Sequence, residues 1–377
     1  MPMRVTFDSQ IFCAQQFGGI SRYFASVAAE MLSRSDVQPL IVAPCHINDY
    51  AARLPNRLVW GRRIARLPAA KPLARVLSLL ASGAVTNLRR PDIVHWTYYY
   101  PTFESRPRSR SRKVLTVYDM IHERHPDAFA IDDPISRWKR AAVAKADHII
   151  CISQHTRKDL LQILEVPAHK VSVTHLGYDA LAPLLTDETG AQFRSRTLGV
   201  DRPYILFVGN RGGYKNFAGL MQAFASSNWL CQNFVLLCFG GGRFTEAEQA
   251  LLARTGSGER VRHVGGPDSV LASCYRHAEL LVYPSRYEGF GIPPLEAMSM
   301  NCPVACSNTT SLPEVVGDAA AGFDPADTDH IRAVLENALE PKMREQLIAR
   351  GEQRSRQFSW ARCAQETVDI YKEVLAT

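Results

Sequence analysis

No tract of apolar residues in this chain approaches the roughly 18 that a membrane-spanning helix needs. The N-terminus, MPMRVTFDS, has neither the basic start nor the apolar run of a secretory leader. Both absences predict a cytosolic protein. Cysteine pairs are missing too: the nine cysteines are scattered singly with no CxxC anywhere, which fits reduced thiols and not a disulfide framework. The nearest approach to a zinc motif is HERH at 122–125, but its histidines stand three apart where the helical HExxH motif needs four, so no structural metal is expected. Acid is absent from two stretches. Residues 53–90 carry nine Lys or Arg, and residues 106–113, RPRSRSRK, carry five more, with no Asp or Glu in either. The remaining 30 basic residues face 37 acidic ones, so the net charge of +7 is a local feature of the N-terminal half.

What is present points to a soluble α/β protein. At 377 residues the chain exceeds what one hydrophobic core usually serves, and 46% apolar and 21% charged residues are ordinary globular values. Short β-branched runs alternate with helix-period stretches: RVTFDS (4–9), PLIVA (39–43), DIVHW (92–96), KVLTVYD (113–119), DHIICIS (147–153) and KVSVTHLG (170–177). A polar, turn-forming stretch at 182–203 interrupts the pattern, and it resumes with YILFVGN from Tyr204, NFVLLCFGG (233–241), VRHVGG (261–266), ELLVYPS (279–285) and PVACS (303–307). Such alternation predicts two Rossmann-like domains, each a doubly wound parallel sheet covered on both faces, at 1–182 and 203–357. Ligands of such sheets bind at the carboxyl ends of the strands, which predicts a cleft site between the domains.

Two stretches carry the chemistry. In RYEGFGIPPLEA (286–297), a glycine-rich loop follows a strand, and Pro293 and Pro294 suit a helix's first turn, where a missing N–H costs little. Glu288 then lies in the loop and Glu296 in the first helical turn. Two carboxylates at one cleft edge can each accept hydrogen bonds from a separate hydroxyl pair of one ligand, while Gly289, Phe290, Gly291 and Ile292 offer backbone N–H groups. The plainer reading makes Glu288 a solvated loop acid and Glu296 a partner of the helix dipole. In FVGNRGGYKNF (207–217), a strand ending at Gly209 runs into a loop with Arg211 and Lys215, two cations suited to a diphosphate.

Residues 283–320, YPSRYEGFGIPPLEAMSMNCPVACSNTTSLPEVVGDAA, resemble over their whole length the E-x7-E region of the retaining, GT-B-fold nucleotide-sugar glycosyltransferases, the glycosyl transferases group 1 (family four). The resemblance implies that Glu288 contacts donor-sugar hydroxyls, that Gly289 to Gly291 lend backbone N–H groups, and that Glu296 binds the nucleotide ribose. Glu314 is similar to a family position near the site, with a structural role equally open. The stretch 207–217 is similar to the family's G-x(n)-K-N loop, in which an Arg and a Lys bind the pyrophosphate and stabilise the leaving nucleoside diphosphate. Gly18 and Gly19, opening a helix after the first strand, resemble the family's N-domain glycine loop beside the donor phosphates, so Gly19 joins the candidates. In TVYDMIHERHP (116–126), related enzymes carry a His-Asp pair. This chain has Tyr118 before Asp119, and His122 either returns to the histidine's place after a helical turn or is an ordinary loop histidine. The amphipathic C-terminus, 358–377, resembles the family's closing helix, which crosses back to the N-terminal domain.

The resemblance implies transfer of a hexose from a nucleoside-diphosphate sugar, GDP-mannose first, to a saccharide acceptor, with retention and in bacterial surface polysaccharide or lipopolysaccharide synthesis. No DxD motif stands in a loop of matching context, so no cofactor and no obligatory metal are expected. Base selectivity belongs to loops such as 241–245 and 264–268. HWTYYYPTF (95–103) is packing first, with stacking on acceptor sugars as the second reading. The acid-free stretches 53–90 and 106–113 interleave bases with Trp60, Ile64, Leu67, Leu77 and Leu80, which favours an anionic membrane surface and a lipid-linked acceptor. No nucleic-acid signature accompanies that charge. Rival readings are a nucleotide-sugar epimerase, a glycan phosphorylase, for whose pyridoxal-phosphate lysine there is no obvious context, and a non-catalytic membrane-associated scaffold. The coexistence of Arg211, Lys215, Glu288 and Glu296 argues against the scaffold.

Overall fold

The computed structural model describes residues 1–64, 78, 81–86, 88–101, 111–199 and 201–377. The chain divides into two compact units, one of Met1–Gly177 with Ser359–Thr377, the other of Tyr178–Phe358.

The first unit is built on seven parallel strands: β1 (Met3–Phe7), β2 (Val37–His46), β3 (Val59–Arg63), β4 (Ile93–Trp96), β5 (Arg112–Val117), β6 (His148–Cys151) and β7 (Val171–Val173). They lie in the order β3-β2-β1-β4-β5-β6-β7. The central strands read as unbroken apolar runs because parallel sheets are covered on both faces: Phe7, Ile41, Ile93, Val114, Leu115 and Ile150 are fully buried. β3 departs from the sequence reading, which placed VWGRR in a basic segment and not in a strand. It is an edge strand with four of its five residues exposed, so it has no burial periodicity to betray it.

The C-terminal helix Trp360–Ala376 belongs to this first unit, capped by Ser359, whose Oγ accepts from Arg362 N at 3.1 Å. It packs along the helix Gly19–Leu32. Gly177 makes the crossing possible, since a Cβ there would lie 2.2 Å from Trp360 N and 2.5 Å from Ser359 C. Tyr371 reaches from the helix into the sheet, its hydroxyl 2.6 Å from His95 Nδ1.

The second unit carries six parallel strands: β8 (Tyr204–Val208), β9 (Val235–Phe239), β10 (Val261–Val264), β11 (Leu280–Tyr283), β12 (Val304–Ser307) and β13 (Ala321–Phe323), ordered β10-β9-β8-β11-β12-β13. β13 was not anticipated: three residues are too few to show a pattern. The stretch 182–203, expected to be an interruption, belongs to this unit and holds the helix Gly190–Leu198. A capping box explains it, with Thr189 Oγ1 accepting from Gln192 N at 3.3 Å and Gln192 Oε1 accepting from Thr189 N at 2.9 Å. The chain winds outward from β8 to β9 and β10, then returns to the other side of β8 with β11. β8 and β11 are therefore neighbours at the point where strand order reverses, the place where doubly wound sheets bind ligands.

Candidate active site

The loops leaving β8 and β11 meet at this switch point. After Gly209, the β8 loop turns through Gly213–Lys215, and the β11 loop runs from Pro284 to Gly291. A backbone bond from Arg286 N to Tyr214 O, 2.7 Å, ties the loops together. Lys215 Nζ lies 2.6 Å from Glu288 Oε1 and 3.2 Å from Tyr283 Oη, with the rings of Tyr214 and Tyr283 at 5.2 and 5.3 Å. Residues 73 apart in the chain thus form one cluster. Burial alone would depress the Lys215 ammonium, but the adjoining Glu288 carboxylate, with Tyr283 and Tyr214, outweighs it and pushes the group above its ordinary range. Lys215 is a fixed positive charge at the carboxyl end of the sheet.

Glu288 is held from behind. Its N–H donates to Thr310 Oγ1 at 3.1 Å, and Ser311 Oγ lies 2.8 Å from the carbonyl oxygens of both Glu288 and Phe290. Thr310 adopts a left-handed conformation, φ +57°, unusual for a β-branched residue and costing of order 1–3 kcal/mol. Neither Thr310 nor Ser311 was singled out in the sequence, because their contact with residue 288 depends on β11 and β12 being neighbours. Gly291 precedes the helix Ile292–Ser299 at φ +117°, and a Cβ there would also strike Leu312 Cδ2 at 2.7 Å, so glycine is required. Pro293 and Pro294 occupy the first helical turn.

Glu296 differs from expectation in one respect. The helix starts at Ile292, so Glu296 is its fifth residue and not a first-turn acid. Its carboxylate is buried, and the buried Tyr275 donates to Oε2 at 3.0 Å. Arg211, expected to face a diphosphate, is placed differently from Lys215, with its donors taken up by the loop after β9. Its side chain is 1% exposed; Nε donates to Glu248 Oε1 at 2.9 Å, Nη1 to Gly240 O at 2.8 Å, and Nη2 to Gly242 O at 2.8 Å and Arg243 O at 3.1 Å. Phe244 covers the guanidinium at 4.7 Å. The arginine spends its donors shaping the loop after β9, whose three glycines, Gly240 to Gly242, all have φ between +71° and +84°.

The remaining candidates belong to the first unit. Asp119 follows β5, its Oδ1 accepting from Ile121 N at 3.1 Å, and its side chain is 34% exposed. The buried Lys139 holds this turn, donating to Asp119 O at 2.9 Å and Glu123 Oε2 at 2.8 Å. His122 stacks on Phe129, ring centroids 3.8 Å apart, with Nε2 3.9 Å from Asp133 Oδ2 and a buried Nδ1 that makes no hydrogen bond. Burial, aided by the Lys139 charge, lowers its basicity and keeps the ring neutral. Tyr118 is buried, donating to Thr97 O at 2.9 Å. Gly19 is the first residue of its helix, and a Cβ there would meet open space.

Among the described residues no group of three or more His, Cys, Asp or Glu is placed to hold a metal ion. A strand-end lysine, a carboxylate beside it on a braced loop and a buried glutamate in the following helix are groups suited to an anionic, hydroxyl-rich ligand. Comparison with known proteins agrees. Residues 189–354 match the Glycosyl transferases group 1 family, and residues 17–180 match Glycosyltransferase Family 4. O-antigen chain mannosyltransferase B of Escherichia coli is 33% identical over 296 residues, covering 74% of this chain and 75% of that protein.

The chain belongs to the group 1 glycosyltransferases.

As a glycosyltransferase it also shares its fold with solved structures along the whole chain. Sucrose-phosphate synthase from Thermosynechococcus elongatus superposes with a TM-score of 0.77 at 20% identity over 100% of both chains. HepE from Anabaena, solved in complex with UDP and glucose, gives 0.74 at 15% identity over 98% of this chain and 100% of its own. These likenesses establish the GT-B architecture.

Proposed function

We propose that this glycosyltransferase moves a hexose, mannose first, from a nucleoside-diphosphate sugar to a saccharide acceptor with retention of configuration, in the synthesis of a bacterial surface polysaccharide or lipopolysaccharide. The observation that carries the reading is the Lys215–Glu288 cluster at the β8/β11 switch point. Support for mannose and for the surface-polysaccharide setting comes from the E. coli relative, an O-antigen mannosyltransferase by name. Support for a nucleoside-diphosphate donor comes from HepE, which was solved with UDP and glucose.

In this scheme Lys215 compensates the diphosphate, Glu288 accepts from hydroxyls of the hexose and Glu296 accepts from the ribose. The bond from the anomeric carbon to the diphosphate oxygen breaks while the acceptor hydroxyl attacks from the same side, and the hydroxyl proton leaves with the departing diphosphate. No protein nucleophile is needed, because stabilising the leaving group lowers the barrier directly. Lys215 and backbone N–H groups of the Gly289–Ile292 loop supply that stabilisation, so the reaction needs no metal. Asp119 and the Tyr98–Tyr100 segment of the first unit serve the acceptor, which is lipid-linked. The acid-free stretches bring the protein to an anionic membrane face.

The test is a thermal-shift panel of GDP, UDP, dTDP and ADP, each with and without magnesium, since a ligand that binds the folded state raises its melting temperature. One nucleotide shifting the melt equally with and without magnesium is the expected result. Lys215→Ala should abolish that shift and most turnover. No shift with any of the four moves the weight to a non-catalytic scaffold.

A further inference from the structure

Lys215 and Glu288 are both only slightly exposed, 15% and 12%, and the ammonium already donates to the carboxylate at 2.6 Å. An ammonium has three N–H donors. One is directed at Glu288 Oε1 and a second at the Tyr283 hydroxyl. A diphosphate that takes Lys215 as its cation therefore shares that ammonium with a carboxylate. Two acceptors on one ammonium stand roughly 4.5–5 Å apart. At that spacing, in a site this poorly hydrated, two negative groups repel strongly.

The repulsion has one evident release. A carboxylate is an acceptor on both oxygens, and the hydroxyls of a hexose are donors. While the sugar is attached to the diphosphate, those hydroxyls satisfy Glu288 and offset the charge it presents. Once the hexose has left, the by-product keeps its phosphate charge and no longer carries the hydroxyls. Thr310 and Ser311 hold the backbone of residue 288 in place, so the carboxylate stays anchored beside Lys215 at the end of a fixed loop.

We infer that Glu288 makes the site discriminate against its own by-product, competing with the spent nucleoside diphosphate for Lys215 and speeding its release. This rests on the reading above that Lys215 binds the diphosphate.

Isothermal titration of the full chain with GDP and with GDP-mannose, or with the pair of whichever base the thermal panel selects, tests it. Glu288→Gln keeps the shape and removes the charge. It should bind GDP about tenfold more tightly than the wild type, gain much less for GDP-mannose, and show stronger inhibition by GDP alongside lower turnover. A misfolded or loosened variant cannot gain affinity, so a gain reads the charge itself. GDP binding by Glu288→Gln that is unchanged or weaker, with Lys215→Met having lost it, overturns this inference and leaves the role of Lys215 standing. GDP binding that survives intact in Lys215→Met overturns that role, and this inference with it.

Discussion

Arg211 and Lys215 stand four positions apart on one loop and serve different ends, which only their surroundings distinguish. Each is a cation at the carboxyl end of β8, but Arg211 turns into the loop after β9 and finds carbonyl oxygens and Glu248, while Lys215 turns toward β11 and finds Glu288. A fork of five donors suits a curled backbone, and a compact ammonium suits a site where partners exchange. Residue type and position in the strand-end loop were legible in the sequence; the direction of each side chain was not. His95 shows a second effect of surroundings. It is wholly buried between Tyr371 and Thr116, and burial pushes its ring down to about 3 from an ordinary 6.5. The folded state therefore rejects the proton that the unfolded chain accepts. The stability that neutral His95 supports is complete above pH 6.5 and is lost as pH falls from 6.5 toward 3, at up to about 1.4 kcal/mol per pH unit. Urea midpoints between pH 7 and 4.5 should fall for the wild type and fall less steeply for His95→Gln; parallel slopes would refute the assignment.

Strands and helices were legible where burial on both faces imposes an apolar run. The central strands of both sheets came through within a few residues, and the two that did not, β3 and β13, are an exposed edge and a three-residue strand. The helix Gly190–Leu198 hid in a polar stretch although T-G-A-Q is a capping-box sequence, because its apolar face is small: Phe193 and Leu198 are its buried residues. Contacts between elements were less accessible. Gly177 and Gly19 look alike in the sequence, yet a side chain at 177 collides with the backbone of the C-terminal helix and one at 19 meets nothing. Gly177→Ala should cost about 1–3 kcal/mol as the helix Trp360–Ala376 shifts to make room. Gly19→Ala should leave stability equal or slightly higher. Calorimetric melting of both variants checks the contrast, and an activity loss in Gly19→Ala without a stability loss would mark position 19 as a ligand contact.

At the scale of the whole molecule, charge is distributed unevenly along the chain. Of the acid-free stretches, residues 65–77, 79–80, 87 and 106–110 lie outside the described residues, as do the adjoining residues 102–105. The described part carries exposed Arg57, Arg62, Arg89 and Arg90 together with Trp60 and Leu88, the last 84% exposed. Among the described residues no helix is long and apolar enough to cross a membrane. Attachment through these residues would be peripheral, and each base near an anionic surface contributes about 1 kcal/mol. Vesicles containing phosphatidylglycerol should sediment the protein at low salt and release it as salt rises; equal sedimentation with neutral vesicles would rule out the electrostatic account. By itself the sequence determined the alternation of strands and helices, the presence of two parallel sheets and the residue types of a nucleotide-sugar site, because propensity, periodicity and motif spacing are properties of neighbours along the chain. Only the tertiary structure decided that Glu288 would bind Lys215, that Thr310 and Ser311 would brace the backbone of residue 288, that Tyr275 would meet Glu296, and that Arg211 would turn inward. Those pairings are set by which strands lie side by side, and strand order is a choice among packings that no local stretch of chain encodes.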